Sequence, residues 1–225
     1  MSKITKPSIM PLMHGDLLRR SNLFRWLREF IEFQNMPAGY YMEFGVLNGE
    51  CMIDSYRQFR GALTHFIGFD SFQGLPDLSP EDQAVSDMAP AFVKGNFQSM
   101  QKEFVRQTIK SSCRIGDDEL TLVEGFFSDV LPGYDKSQLA AYGVPMVIYI
   151  DCDLYSSTVS VLEFISDLVV AGTWIFFDDY WFYRGSPQHG QQRAIREWLD
   201  SQDRIGLSDY GNFNGWGKAF VVYEK

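Results

Sequence analysis

The chain contains 225 residues, of which 45% are hydrophobic and 22% are charged. This length and composition predict one soluble globular domain, since domains commonly contain roughly 100–200 residues. Twenty Lys and Arg residues against 29 Asp and Glu residues give a formal net charge of −9, so we expect neither a nucleic acid nor a membrane surface as a partner. Three cysteines without a CxxC pattern disfavour a disulfide scaffold or a zinc site and predict a cytoplasmic location.

Strands and helices alternate along most of the chain. Residues 1–14 are expected to form a loose arm, and apolar residues at helical spacing predict a helix over 16–35. Strands are predicted at 40–44, 65–69, 120–124, 145–150, 173–177 and 219–223, and further helices at 51–59, 98–110, 158–170 and 188–201. We therefore divide the chain into an N-terminal arm and helix (1–39) and one domain (40–225).

The alternation predicts an α/β fold with an open, doubly wound, Rossmann-like sheet that is mostly parallel and has an antiparallel C-terminal strand. In such sheets, ligands bind beyond the carboxyl ends of the strands. Residues 77–97 show little periodicity and form a long predicted loop. Loops of this length inside a domain are usually functional or disordered, and we expect this one to act as a lid.

A glycine-containing turn follows the first predicted strand, in the order Glu43-Phe-Gly45-Val-Leu-Asn-Gly49. The dinucleotide fingerprint Gly-x-Gly-x-x-Gly is absent, because position 47 is Leu. An acid at this turn would repel a pyrophosphate but attract an ammonium group. Glu43, Gly45 and Gly49 therefore favour S-adenosylmethionine (SAM) over a dinucleotide, and an ordinary strand-to-helix turn is the alternative.

Two further predicted strand ends fit the same cofactor. Asp70 lies 21 residues beyond Gly49, a distance at which an acid commonly accepts hydrogen bonds from ribose hydroxyls. Gly125 and Phe126 follow the third strand, where Phe126 would stack on the adenine. The structural alternatives are a solvated acid and core aromatic residues.

Four acids follow two strongly apolar strands. Asp151 and Asp153 come after the fourth strand, and Asp178 and Asp179 come after the fifth. Buried like charges are costly unless a cation neutralises them, and carboxylate oxygens suit Mg²⁺. We favour Asp151, Asp178 and Asp179 as metal ligands, whereas Asp153 fits either the site or the N-cap of the next helix.

The sequence gives little indication that any of the three histidines is catalytic. His14 lies in the predicted arm and His65 opens a strand, so both are expected to be structural. His189 is either a base near the metal or a surface residue at the start of a helix, and the second interpretation is favoured.

Four segments stand in a fixed order: Asp70-Ser-Phe-Gln-Gly-Leu-Pro76, Gly125-Phe-Phe-Ser-Asp-Val-Leu-Pro132, Asp151-Cys-Asp-Leu-Tyr-Ser-Ser-Thr158 and Phe177-Asp-Asp-Tyr180. Together they resemble the macrocin O-methyltransferase family, which are bacterial class I enzymes that use SAM and Mg²⁺ to methylate sugar hydroxyls of macrolides. The resemblance covers roughly residues 40–200, and residues 1–39 show no match.

This resemblance implies that Glu43, Gly45, Asp70 and Ser71 line the cofactor. It also implies that Asp151, Asp178 and Asp179 hold the metal, a placement similar to that in catechol-type methyltransferases. The family usually has Gly where Cys152 stands and often an aromatic–basic pair where Leu47 and Asn48 stand. These departures leave the cofactor and metal interpretation intact and weaken the inference of a macrolide sugar substrate.

The predicted function is a SAM-dependent, Mg²⁺-assisted O-methyltransferase acting on a hydroxyl of a small molecule, such as a sugar or natural product. A carboxylate takes the hydroxyl proton, with Asp178 as the first candidate base and Asp153 and His189 behind it. The alternatives are a non-catalytic SAM-binding module and an NAD-linked oxidoreductase. A homodimer through the N-terminal helix is left open.

Overall fold

A seven-stranded sheet organises the part of the chain that the computed structural model describes, residues 19–225. The predicted arm, the start of the first predicted helix and His14 lie outside these residues. The strands are β1 (Gly39–Phe44), β2 (Leu63–Asp70), β3 (Leu120–Glu124), β4 (Val144–Ile150), β5 (Trp174–Phe177), β6 (Ile205–Phe213) and β7 (Gly217–Glu224). The α-helices are α1 (Arg20–Phe33), α2 (Glu50–Phe59), α3 (Pro80–Gln83), α4 (Lys102–Cys113), α5 (Phe127–Val130), α6 (Tyr155–Ile165) and α7 (Gly190–Asp200).

The strand order is β3-β2-β1-β4-β5-β7-β6. Strands β1 to β5 pair in parallel, and β7 runs antiparallel to both of its neighbours. This confirms the predicted α/β fold, with its mostly parallel sheet and antiparallel C-terminal strand. The six-strand prediction was wrong in omitting β6. That strand contains two glycines and a central exposed stretch, Ser208–Tyr210, so it lacks the continuous apolar pattern used to find the others.

Two predicted helices are displaced along the sequence. The helix predicted over 158–170 begins at Tyr155 and ends at Ile165. The helix predicted over 98–110 runs from Lys102 to Cys113 and ends where Arg114 adopts a left-handed conformation. Periodicity identifies a helix well, but its first and last residues depend on local capping.

The sheet is covered on both faces. Helix α1 buries Leu23, Phe24, Leu27 and Ile31 in the same core as Tyr41 of β1. Each such side chain contributes about 1.5–3 kcal/mol when fully buried. The N-terminal helix is therefore packed into the core of the sheet. Helices α6 and α7 cover the opposite face.

Residues 77–97 fold against the carboxyl edge of the sheet. They contain α3 and a short 3₁₀ turn at Ser86–Met88. Val85, Ala89 and Phe92 pack with Leu154 and Tyr183 in a small separate cluster. No helix among residues 19–225 is both long and apolar enough to cross a membrane.

Candidate active site

A cleft of about 530 Å³ opens at the carboxyl ends of the parallel strands. The strand-end residues that line it are Gly45, Asp70, Gly125, Asp151, Asp153, Asp178 and Asp179. Sequence reasoning placed all seven at this edge, because parallel strands present their carboxyl ends together. Ser71 and Phe126, also predicted for the cofactor, line the same cleft.

The turn after β1 brings two strand ends into close contact at Gly45. Its φ is +93°, and a Cβ there would lie 1.8 Å from the carbonyl oxygen of Asp151. Only glycine fits this approach. Gly49 has a different role, because it precedes α2 at φ +86° and a Cβ there would meet Ile109 of α4 at 2.5 Å. Gly49 therefore allows helix packing and does not line the cleft.

Asp70 organises the same turn. Its carboxylate accepts hydrogen bonds from the backbone N–H groups of Val46 (2.7 Å), Leu47 (2.8 Å) and Phe72 (2.6 Å). Burial raises the pKa of Asp70, and these hydrogen bonds act in the opposite direction. The acid predicted to meet a ribose thus also fixes the backbone of the turn beside it.

Glu43 lies behind the cleft wall and is completely buried. Its Oε2 accepts a hydrogen bond from the hydroxyl of Tyr41 at 2.7 Å, and its Oε1 has no partner. Burial raises the pKa of Glu43 to about 8. Glu43 is thus close to the predicted cofactor turn, but its side chain is not among the described residues that line the cleft.

Ser71, Gly125 and Phe126 form the wall next to Asp70. The Ser71 hydroxyl donates to the carbonyl of Gly74 at 2.8 Å and accepts from the N–H of Gln73 at 3.0 Å, which fixes the turn after β2. Gly125 donates its N–H to the carbonyl of Asp70 at 2.9 Å. Phe126 is partly buried and faces the cleft.

Three carboxylates meet at the other end of the cleft. Asp151, Asp153 and Asp179 each offer an oxygen within 4.8 Å of the others. Burial raises the pKa of each group well above its usual value, and the neighbouring acids raise it further. Such a cluster is unstable as three charges without a cation, so its donor set fits a divalent metal.

Asp178 is adjacent to these three acids but is held separately. Its Oδ1 accepts a hydrogen bond from the hydroxyl of Tyr149, and its Oδ2 accepts one from Nε1 of Trp216 at 3.2 Å. Asp178 contributes to the raised pKa values of Asp151, Asp153 and Asp179, so all four acids share one electrostatic environment.

Asp153 belongs to the site and is not a helix cap. Its φ is +61°, and its backbone N–H donates to Oδ2 of Asp179 at 3.0 Å. Asp82 caps α6 instead, by accepting from the N–H groups of Tyr155 and Ser156. Among residues 19–225, no donor forms a hydrogen bond with the carboxylate of Asp153, which leaves its oxygens free.

Gln191 is a buried residue that sequence reasoning missed. Its side-chain oxygen accepts from the N–H of Asp179 at 3.0 Å, and its side-chain nitrogen donates to the carbonyl of Ile150 at 3.2 Å. Gln191 thus fixes the ends of β4 and β5 relative to each other. No local sequence motif predicts this role, because Ile150, Asp179 and Gln191 are far apart in sequence.

His189 lies two residues before Gln191, at the start of α7, and is not among the described residues that line the cleft.

Aromatic side chains surround the mouth of the cleft. Phe92 and Phe97 come from the 77–97 segment, Phe182 follows β5, and Trp216 lies between β6 and β7. The ring centroids of Phe92 and Phe182 are 5.0 Å apart, and those of Phe182 and Trp216 are 6.1 Å apart. Three aromatic residues, Trp181, Phe182 and Tyr183, follow the Asp178-Asp179 pair closely in the sequence. Among them Phe182 lines the cleft, while Tyr183 is buried in the cluster formed with the 77–97 segment.

The strand order and the acid-lined cleft at the carboxyl edge together define a class I methyltransferase fold. The structure of the calicheamicin methyltransferase CalS11 matches it with a TM-score of 0.68 at 22% identity, over 96% of this chain and 87% of that chain. The O-methyltransferase NovP matches with a TM-score of 0.67 at 20% identity, over 92% and 88% of the two chains. At these identities the likeness shows the fold alone.

The family follows from the sequence itself. Residues 5–206 match the macrocin O-methyltransferase (TylF) family, and the chain belongs to that family. This confirms the resemblance carried by the four motifs. The expectation that residues 1–39 show no match was wrong, since the match begins at residue 5.

Two curated relatives are similar over about half of this chain. One is the 8-demethyl-8-(2,3-dimethoxy-alpha-L-rhamnosyl)-tetracenomycin-C 4'-O-methyltransferase of Streptomyces olivaceus, with 32% identity over 113 residues. The other is the demethyldecarbamoylnovobiocin O-methyltransferase of Streptomyces niveus, with 29% identity over 111 residues. The matched segment covers 49% of this chain and 40% of each relative.

Proposed function

We propose that the protein is a SAM-dependent, Mg²⁺-assisted O-methyltransferase that acts on a hydroxyl of an uncharged small molecule, such as a glycosylated natural product. The observation that carries this proposal is the gathering of three carboxylates within 4.8 Å of one another in the same cleft as the Gly45 turn. Family membership supports the choice of methyl transfer. Both relatives above are named as O-methyltransferases.

The residues at the Gly45 end of the cleft fit SAM, which carries a methyl group on a positively charged sulfur and therefore needs no further activation. Gly45 leaves its backbone open to close approach, and Asp70 retains lone pairs for ribose hydroxyls beyond those its backbone donors use. Phe126 offers a ring to the adenine. Glu43 supports the turn from behind through Tyr41.

The acidic end fits Mg²⁺. Asp151 and Asp179 belong to the cluster of three carboxylates, and we propose that they bind the cation together with Asp178, whose charge acts on both of them. The third member of the cluster, Asp153, is left for a different role. A bound cation there would neutralise the carboxylates and make the acceptor hydroxyl more acidic. Asp178 suits a ligand because two donors fix its carboxylate, as is common for carboxylates that bind metals. The N–H of Asp153 donates to the carboxylate of Asp179, and Gln191 fixes the backbone of Asp179 by accepting from its N–H.

We propose Asp153 as the group that accepts the hydroxyl proton, ahead of Asp178 and His189. A base needs a free lone pair within reach of the acceptor hydroxyl. The carboxylate of Asp153 lines the cleft beside Asp151 and Asp179, and no donor among the described residues occupies its oxygens. Asp178 is assigned to the cation instead, because two donors hold its carboxylate in a fixed orientation, and His189 lies outside the cleft lining.

The walls of the cleft support an uncharged acceptor with an apolar ring face. Phe92, Phe97, Phe182 and Trp216 offer aromatic surface at the mouth. Among the described lining residues there is no Lys or Arg, whereas acids are abundant. A glycoside could stack on these rings. We also propose a cytoplasmic location, since Cys51, Cys113 and Cys152 are buried free thiols.

The first test is calorimetric titration with S-adenosylhomocysteine (SAH), with and without Mg²⁺, using NADH as the control. Micromolar binding of SAH and none of NADH supports the proposal, whereas NADH binding would overturn it. SAH binding without any binding of Mg²⁺ or Mn²⁺ would instead favour a non-catalytic SAM-binding module.

Two variants separate the roles of the acids. Asp153→Asn should keep SAH and Mn²⁺ binding and lower turnover of an accepted glycoside by about 10²–10⁴-fold, the usual contribution of a general base. Asp178→Asn should weaken Mn²⁺ binding. If the two variants behaved in the reverse manner, the assignment of ligand and base would be exchanged.

A further inference from the structure

The carboxylate of Asp178 is connected to the N-terminal helix through one tyrosine. The Tyr149 hydroxyl donates to Oδ1 of Asp178, so its oxygen remains available as an acceptor. That oxygen accepts a hydrogen bond from Nη1 of Arg20, the first residue of α1, at 3.2 Å. The chain of contacts therefore runs from the guanidinium to the hydroxyl and on to the carboxylate.

Tyr149 can hold a precise position because its ring is buried and packed against three other aromatic rings. Its side chain is completely buried on β4. The ring packs at 6.1 Å from Phe176, at 6.0 Å from Phe213 and at 6.0 Å from Phe24, measured between centroids. A hydroxyl on a ring packed by three others has one accessible location, and that location is at the Asp178 carboxylate.

Arg20 is fixed as firmly as Tyr149. Its backbone N–H donates to the side-chain oxygen of Asn214 at 3.1 Å, and its Nε lies 3.6 Å from Oδ2 of Asp54. Its guanidinium carbon lies 5.3 Å from the centroid of the Tyr149 ring. Because arginine stays charged even when buried, its hydrogen bond to the tyrosine oxygen keeps the O–H directed at Asp178.

The turn between β6 and β7 completes the arrangement. Asn214 holds the start of α1, and Trp216, two residues later, donates to the second oxygen of Asp178. Each carboxylate oxygen thus accepts from one donor, and each retains a further lone pair.

We propose that Tyr149, oriented by Arg20, is a positioning residue that holds the Asp178 carboxylate in the geometry for binding a divalent cation. This inference rests on the proposed function, in which Asp178 is a metal ligand. Outer-shell hydrogen bonds of this kind commonly change metal affinity by about 10–100-fold when removed. The N-terminal helix is thereby part of the metal-binding machinery.

The test is a titration of the full chain with Mn²⁺, followed by electron paramagnetic resonance, with SAH affinity measured in parallel by calorimetry. Tyr149→Phe keeps the ring and removes the hydroxyl, and it should weaken Mn²⁺ binding by about 10–100-fold while leaving SAH binding unchanged. Tyr56→Phe is the matched control, because that buried tyrosine donates to Glu119 outside the cleft. It should alter neither affinity.

A second variant separates positioning from a simple charge effect. Arg20→Met removes a positive charge near the acids, so a charge effect alone would tighten Mn²⁺ binding. Positioning through Tyr149 instead predicts weaker binding, with no further loss when Arg20→Met is combined with Tyr149→Phe.

The Mn²⁺ titrations distinguish failure of the proposed function from failure of the positioning role. Wild-type protein that binds SAH but no Mn²⁺ would refute the metal part of the proposed function. Wild-type protein that binds Mn²⁺, together with a Tyr149→Phe variant of unchanged affinity, would overturn the positioning role alone. If Arg20→Met fails to fold, Tyr149→Phe against Tyr56→Phe still decides the matter.

Discussion

The carboxylate of Asp82 accepts hydrogen bonds from the backbone N–H groups of Tyr155 and Ser156, at 2.8 and 3.3 Å. Asp82 belongs to the 77–97 segment, and Tyr155 begins α6 directly after the Asp151–Asp153 acids. The hydroxyl of Ser79 donates to the same carboxylate at 2.8 Å. The segment predicted to be a lid is therefore attached to the helix that follows the acids at the end of β4.

Asp82→Ala should destabilise the protein by about 0.5–2 kcal/mol, the usual cost of losing a helix N-cap, because two N–H groups of α6 lose their acceptor. It should also release the 77–97 segment for limited proteolysis. Chemical denaturation and a timed protease digest measure the two effects. Asp87→Ala is the matched control, since Asp87 lies on the surface of the same segment. Equal effects of both variants would contradict the capping role.

Sequence reasoning succeeded where a feature depends on neighbouring residues. The apolar run ending at Asp151 and the Asp178-Asp179 pair placed the acids at one sheet edge, because parallel strands end together. It failed where partners come from distant segments. Asp153 was a possible cap until Asp82, some 70 residues earlier, proved to occupy that role. Side-chain donors such as Tyr149 and Gln191 likewise act across the fold, and no periodicity reveals them.

Gly45→Ala should be far more destabilising than Gly61→Ala. Both glycines have positive φ, so alanine at either position lowers the stability by about 1–2 kcal/mol because of its left-handed backbone conformation. At Gly61 the added Cβ meets nothing within 4 Å, whereas at Gly45 it would lie 1.8 Å from the Asp151 carbonyl oxygen. The Gly45 variant should also lose SAH binding. Urea denaturation compares the pair, and similar losses of stability would show that the two strand ends separate easily.

Metal-free protein should lose stability as the pH rises, and Mg²⁺ should oppose this loss. The pKa values of Asp151, Asp153 and Asp179 are raised in the folded state, so at these three positions the folded chain binds more protons than the unfolded chain once the pH exceeds their usual pKa. Stability therefore falls with increasing pH. A cation present at 100 times its Kd raises the free energy of unfolding by about 2.7 kcal/mol. Because it binds the ionised carboxylates, this effect depends on pH. The stabilisation by Mg²⁺ should be larger at pH 8 than at pH 5 in thermal denaturation. Equal stabilisation at both pH values would contradict the metal site.

Glu43→Gln should remove a specific part of this pH dependence. Burial raises the pKa of Glu43 from 4.5 to about 8 in the folded state, so both states are protonated at low pH. Between these two values the unfolded chain ionises at Glu43 while the folded chain does not, and wild-type stability falls as the pH rises.

Glutamine mimics the protonated carboxyl and does not titrate, so the variant should gain stability relative to wild type from pH 5 to pH 8. Since one unit of pKa shift corresponds to about 1.4 kcal/mol, the gain should be on the order of a few kcal/mol. Urea denaturation of both proteins across this pH range, without metal, measures it. Parallel stability curves would show that Glu43 is ionised in the folded protein and balanced by the nearby charge of Arg20, which acts to lower the Glu43 pKa.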